Sequence, residues 1–180
     1  MDAIEAMRRR RSVRSYKADP VAPELLNKVL GAATMAPSGG NMQPWEFFVV
    51  QDRKTKQAIV DTSYTGYGRS GAPQTWLLDV PVLVVICVER KRTGARYGRE
   101  GAEFISLLDV ASSVQNLLVA ATSEGLGSCW VAGFRRSRVG QLLALEPSMG
   151  VIGLVALGWP EHVPSAPHRL PVEQVVHYVS

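Results

Sequence analysis

Leu107, Val110, Ala111, Val114, Leu117, Leu118 and Ala121 recur at three- and four-residue spacing. That period predicts one long helix with a broad apolar face, beginning near Ala102. Glu124-Gly125-Leu126-Gly127 ends it, because glycine readily takes the positive φ of a helix C-cap. Cys129 to Phe134 then reads as a short extended run. Leu25, Leu26, Val29 and Leu30 share a face and predict a helix over Pro23 to Thr34, with Pro23 suited to its first turn. Shorter helices are predicted over Ile4 to Arg9, capped by Asp2, over Arg53 to Tyr64, and over Arg136 to Leu145. Continuous apolar runs predict strands over Glu46 to Gln51, Val80 to Val88 and Val151 to Leu157, and the tail Val172 to Val179 has strand character. The charged, glycine-containing stretch Glu89 to Glu100 reads as a loop or lid, and Glu161 to Pro171 as irregular chain.

At 180 residues the chain is expected to form one domain, spanning 1–180. An apolar fraction of 46% and a charged fraction of 20% are ordinary for a globular protein. The net charge of +4 is concentrated at Arg8 to Arg11 and at Arg135, Arg136 and Arg138. Scattered charge elsewhere argues against a nucleic-acid stripe. Cys87 and Cys129 sit in apolar runs without metal spacing, which fits reduced thiols and a cytoplasmic setting. No apolar leader precedes the first helix, and Val80 to Val88 is too short to span a bilayer. The expected partner is therefore neither nucleic acid nor membrane. A hydrophobic strand on a proline-rich arm, about 161–180, often pairs with a sheet, including a partner's.

Two stretches carry candidate chemistry. Arg10-Arg11-Ser12-Val13-Arg14-Ser15-Tyr16 forms either an anion cradle or a solvated basic end. Forked guanidinium donors match phosphate oxygens, and serine adds a neutral donor. Ala36-Pro37-Ser38-Gly39-Gly40-Asn41-Met42-Gln43-Pro44-Trp45 is a loop of defined backbone. Its glycines admit a flat ligand, and Asn41 and Gln43 suit the mixed edge of a heterocycle; alternatively its polar groups cap the preceding helix. Gly66-x-Gly68-x-x-Gly71 matches a dinucleotide fingerprint only by pattern, since it follows a helical segment and runs into Ala72-Pro73. His162, His168 and His177 read as surface or packing residues, and no metal site is expected.

RRSVRSY at 10–16, APSGGNMQPW at 36–45 and GLGSCWVAGF ending at 134 together resemble the FMN-dependent nitroreductase family. ALGWP at 156–160 followed by Arg169 and the VVHY tail is a weaker match. The resemblance covers nearly the whole chain. It implies an α+β fold with a mixed, mainly antiparallel sheet between helices, in an intertwined homodimer with FMN at the interface. It implies that Arg10 and Ser12 meet the phosphate and ribityl chain, Arg14 the flavin's polar edge, and Arg169 the phosphate again. Pro37, Ser38, Gly39 and Asn41 would reach the same flavin from the other subunit, with Ala132 and Gly133 facing N5 and O4. Asp109 falls where some members carry a polar helix residue near the cofactor. Tyr64, Tyr67, Trp76 and Phe104 are candidates to border the substrate pocket.

The implied activity is a ping-pong transfer of hydride from NAD(P)H through the flavin to a nitroaromatic, quinone or free flavin. Alternatives are a same-fold flavin enzyme with dehalogenating or flavin-fragmenting chemistry, and a non-catalytic FMN-binding protein. Two departures stand out. The Asn-x-x-Lys grip of larger members is replaced by Pro73-Gln74-Thr75-Trp76, and Ala132 stands where many carry glutamate.

Overall fold

β2, Val82–Glu89, is apolar at every position but its last, and seven of its residues are buried. A strand covered on both faces shows no alternation. A computed structural model, describing residues 1–66 and 71–179, explains why. β1 (Trp45–Val50), β2, β3 (Gly127–Val131) and β4 (Met149–Gly158) form one sheet in the order β1-β2-β4-β3, with every neighbouring pair antiparallel. Val82 lies opposite Leu157, and the β2–β4 register slips at Ile86/Cys87. Among the described residues the parallel element is a single bridge between Ser12 and Ser128.

α2 (Pro23–Thr34) and α5 (Ser106–Ser123) cover one face of the sheet. There Val29, Ala33, Val110, Val114 and Leu117 meet Val82, Val84, Ile86, Val155 and Leu157. The other face meets Ile59 and Val60 of α3 (Arg53–Val60), Val139 of α6 (Arg136–Leu142), and Val13, Tyr16 and Leu77. The short α1 (Ala3–Arg9), capped by Asp2 as its sequence suggests, packs on α5. Lys56 ties α3 to the start of β2 by donating to the carbonyls of Val80 (2.6 Å) and Pro81 (3.1 Å).

Three expectations are corrected. Glu89 to Glu100 is no loop: Arg90–Glu100 is α4, joined to α5 through a π-helical turn, Gly101–Ile105. The long helix therefore has no fresh start at Ala102. The helical run Arg90–Ser123 has the length and composition of a membrane span, but it is folded in two. At Gly98 φ is 61° and ψ −146°, a region essentially reserved for glycine. The chain reverses there, and a Cβ on Gly101 would stand 2.6 Å from the Thr93 carbonyl oxygen, eight residues back. Gly98→Ala should cost about 1–3 kcal/mol by forcing a side chain into that conformation, read as a lowered Tm.

The second correction is that α3 stops at Val60 rather than Tyr64, because Thr62 and Ser63 turn back to donate to Ile59 and Val60 and Ser63 bridges to Phe134. The third concerns the tail. Val172 to Val179 makes a short 3-10 turn at Val172–Gln174 and no strand. A strand needs a paired neighbour, and within the described residues the tail pairs with none. Leu170, Val172, Val175, Val176, Tyr178 and Val179 are all exposed.

Candidate functional site

Residues 10–16 run as an extended strip beside β3. The Val13 amide donates to Ser128 O (3.0 Å), and Lys17 N–H to Trp159 O (2.9 Å). Val13 and Tyr16 turn into the core, and burial pushes the Tyr16 phenol well above its ordinary range. The alternation leaves Ser12 and Arg14 facing outward. Beyond β4 the proline-rich arm returns across the strip, with Glu161 N–H donating to Ser15 O (3.0 Å) and Ser15 Oγ to Glu161 Oε2 (2.5 Å). The strip and arm enclose a cleft of about 270 Å³ that brings together Arg10, Arg11, Ser12, Arg14 and Arg169.

No carboxylate lines this cleft. Among the described ion pairs none involves Arg10, Arg11, Arg14 or Arg169. Several guanidinium groups crowded together without counter-charge make a site for an anion. Arg11, part of the basic stretch but given no contact by the family resemblance, joins it and donates back to the carbonyls of Arg8 (2.6 Å) and Arg10 (2.9 Å). Cys129 lies just beneath. Burial raises its thiol pKa, while Arg14, Ser12 and Arg10 pull it the other way. A buried thiol so disposed is inert packing.

The second group lies elsewhere. Pro37, Ser38, Gly39 and Asn41 sit on a loop held at the opposite end of α5. Gly39 N–H donates to Asp109 Oδ1 (3.1 Å), and Gln43 N–H to Ser38 Oγ (3.0 Å). Asn41 adopts φ 58° and Gln43 φ 46°. Asp109 is buried, and its Oδ2 has no protein partner. The helix between Asp109 and Ser123, where the arginine end begins, is about 20 Å long. Within the described chain the loop lines neither the arginine cleft nor anything bonded to it.

Ala132 and Gly133 follow β3, about 13 Å along the strand from Ser128. Ala132 is exposed. Gly133 O accepts from Tyr64 N–H (2.8 Å) and from Gln74 Nε2 (3.0 Å). Gln74 Nε2 also donates to Tyr64 O (3.1 Å), and the Gln74 backbone N–H to Ser63 Oγ (2.8 Å). In sequence this stretch stands out for a missing lysine and for Trp76; in the structure Gln74 is the clamp that fixes the 132–133 backbone. Of the aromatic candidates, Trp76 stacks on Tyr16 at 6.4 Å and 13° and belongs to the core layer. Phe104 is exposed, and Tyr64 meets Gly133. Tyr67 and Gly68 of the Gly66–Gly71 segment lie outside the described residues.

Residues 7–159 match the sequence model of the Nitroreductase family. The chain belongs to the nitroreductase family. Among its relatives, NADH dehydrogenase of Thermus thermophilus is 33% identical, covering 98% of this chain and 95% of its own. The NADPH-flavin oxidoreductase of Vibrio harveyi is 27% identical, over 98% of this chain and 73% of its own. The crystal structure of a nitroreductase family protein from Clostridium difficile superimposes with a TM-score of 0.81 at 25% identity, covering 100% of this chain and 99% of the other. The nitroreductase fold is thus the α+β architecture described above. In this chain the donor set of the arginine cleft fits a phosphate monoester: guanidinium forks, a serine hydroxyl, and no competing carboxylate.

Proposed function

We propose that two copies of this chain enclose FMN between them and pass hydride from NAD(P)H to a small flat acceptor in a ping-pong exchange. By its family the protein is an NAD(P)H-dependent oxidoreductase. Nitroaromatics, quinones and free flavins are the acceptor classes proposed, and the reduced-thiol pair Cys87 and Cys129 is in keeping with a cytoplasmic setting.

One observation carries the shared site. A single chain presents the two candidate groups apart, arginines near one end of α5 and the Pro37–Asn41 loop near the other. A two-fold copy would set each surface against its complement. The uncovered apolar tail and the exposed Ile4, Met7, Phe104 and Leu108 are the kind of surface that such a partner covers.

The residues then have separate tasks. Arg10, Ser12 and Arg169 would hold the phosphate, with Arg11 closing the cleft. Arg14 would place a positive charge at the ring's polar edge and favour electron density there. Ala132 and Gly133, fixed by Gln74, would offer rigid backbone to the ring. Pro37, Ser38, Gly39 and Asn41 of the other copy would cover it and exclude water. The flavin, when bound, supplies the hydride-accepting chemistry itself.

Mixing two defective chains tests the sharing. Arg10→Ala/Arg14→Ala protein and Asn41→Ala protein, co-refolded, should regain about a quarter of the wild-type flavin sites, since half of randomly paired dimers are mixed and each mixed dimer holds one intact site. No recovery above the separate proteins counts against sharing.

A further inference from the structure

α4 carries Arg90, Lys91, Arg92, Arg96 and Arg99 against a single acidic residue, Glu100. Most of its arginines are engaged. Arg90 lies over the backbone of Gly150. Arg92 donates to Gln43 O (2.8 Å) and pairs with Glu46, and Arg99 pairs with Glu103 (2.9 Å). Arg96 differs: among the described residues no carboxylate lies within ion-pair distance of it. Its guanidinium carbon stands 5.6 Å from the Tyr97 ring centroid.

The position of Arg96 is specific. Gly40 has φ +56°, and a Cβ there would lie 2.6 Å from Arg96 Cδ and 2.7 Å from Nε. The arginine stem occupies the face that residue 40 leaves bare, on the loop assigned to the neighbouring flavin. Tyr97 reaches the same loop at Gly39, where a Cβ would meet its ring edge at 3.3 Å. The Asp109 carboxylate nearby is turned to the Gly39 amide. The stem and aromatic neighbour thus hold an exposed, unneutralised cation beside the proposed ring site.

We propose that Arg96, supported by Tyr97, docks a phosphate or carboxylate borne by a substrate of this flavin site, so that the enzyme selects anionic donors or acceptors. The proposal rests on the shared-site reading above. A forked guanidinium at a pocket rim forms charge-assisted bonds with such a group and draws it in by its field. The anion has three sources: the 2′-phosphate that distinguishes NADPH from NADH, the pyrophosphate common to both, or an acidic group on the acceptor.

The test compares Arg96→Gln with Arg99→Gln, which removes the same charge from the same helix at an ion-paired position. Flavin content, dissociation constants for NADP⁺ and NAD⁺, and KM for 4-nitrobenzoate against nitrobenzene are measured on flavin-loaded protein. Arg96→Gln should weaken at least one anionic probe about tenfold, the usual order for losing a charge-assisted contact. Weakened NADP⁺ alone assigns the 2′-phosphate, both nucleotides the pyrophosphate, and 4-nitrobenzoate alone the acceptor. Arg96→Lys should restore part of the loss. The proposal fails if Arg96→Gln moves every anionic probe by less than about twofold, or if Arg99→Gln moves them equally. Failure of the shared-site reading shows separately, as wild-type protein that holds no flavin or that holds it on a single chain.

Discussion

Arg10→Gln combined with Arg169→Gln is expected to purify without flavin. The two side chains come from opposite ends of the sequence and meet at the cleft. Each hydrogen bond to a charged group contributes about 1.5–3 kcal/mol, so the pair accounts for roughly 3–6 kcal/mol, or about 10²–10⁴ in Kd. Neither arginine has a carboxylate partner among the described ion pairs, so removing them strands no opposite charge. The apoprotein Tm should therefore change little, within the range of about 0.5 kcal/mol usual for surface substitutions. Flavin content of the purified variant and a fluorescence titration with added FMN check both halves. Arg9→Gln is the control, because Arg9 pairs with Glu5 (2.5 Å) and lies outside this cleft. Wild-type flavin content in the double variant would remove the phosphate cradle from the account.

Gly133→Ala should have the second large effect, on stability and site together. Its Cβ would stand 2.5 Å from the Tyr64 carbonyl oxygen and 3.1 Å from Gln74 Nε2. A backbone carbonyl cannot swing aside as a flexible side chain does. The 132–134 segment must move, loosening the bonds from Tyr64 N–H and Gln74 to Gly133 O. Overpacking with disrupted hydrogen bonds typically costs about 2–4 kcal/mol, which for a chain of this size lowers Tm by roughly 4–16 °C. Thermal unfolding monitored by circular dichroism measures this. Gln74→Ala should lower Tm in the same direction but less, since it removes the clamp without inserting an atom. An unchanged Tm in Gly133→Ala would mean that the close approach to Tyr64 is not a feature of the protein in solution.

The pattern of apolar residues carried the elements that pack by their own periodicity. α2 was legible to the residue because Pro23 marks its first turn and Leu26 and Val29 its buried face. β2 was legible because a strand buried on both sides reads as an unbroken apolar run. α4 was not. Its charges and glycines mimic a loop, yet it is helical, and Gly94 and Gly101 let it lie close against the turn that precedes α5. The tail misled for the converse reason: apolar alternation marks what a segment can do once paired, and the described chain offers no pair.

The candidate site was legible in parts. The cradle of Arg10, Ser12, Arg14 and Arg169 followed from the family resemblance, and the arm brings Arg169 to the others across more than 150 residues of chain. That the Pro37–Asn41 loop lies some 20 Å of helix away could not be read from residue types, because α5's direction decides it. Gln74 carried no signal, since a side-chain amide clamping backbone looks like any loop glutamine. Arg96 gives no signal in sequence because the charges and glycines around it in α4 read as a loop.

The central claim is joint enclosure of the flavin by two copies, and sedimentation velocity followed by protein and by flavin absorbance tests it most directly. All flavin absorbance should travel with a particle of twice the chain's 19.6 kDa, and a dissociated subunit should carry none. Flavin moving with a single 19.6 kDa chain, or a stable dimer unable to retain flavin, would contradict it.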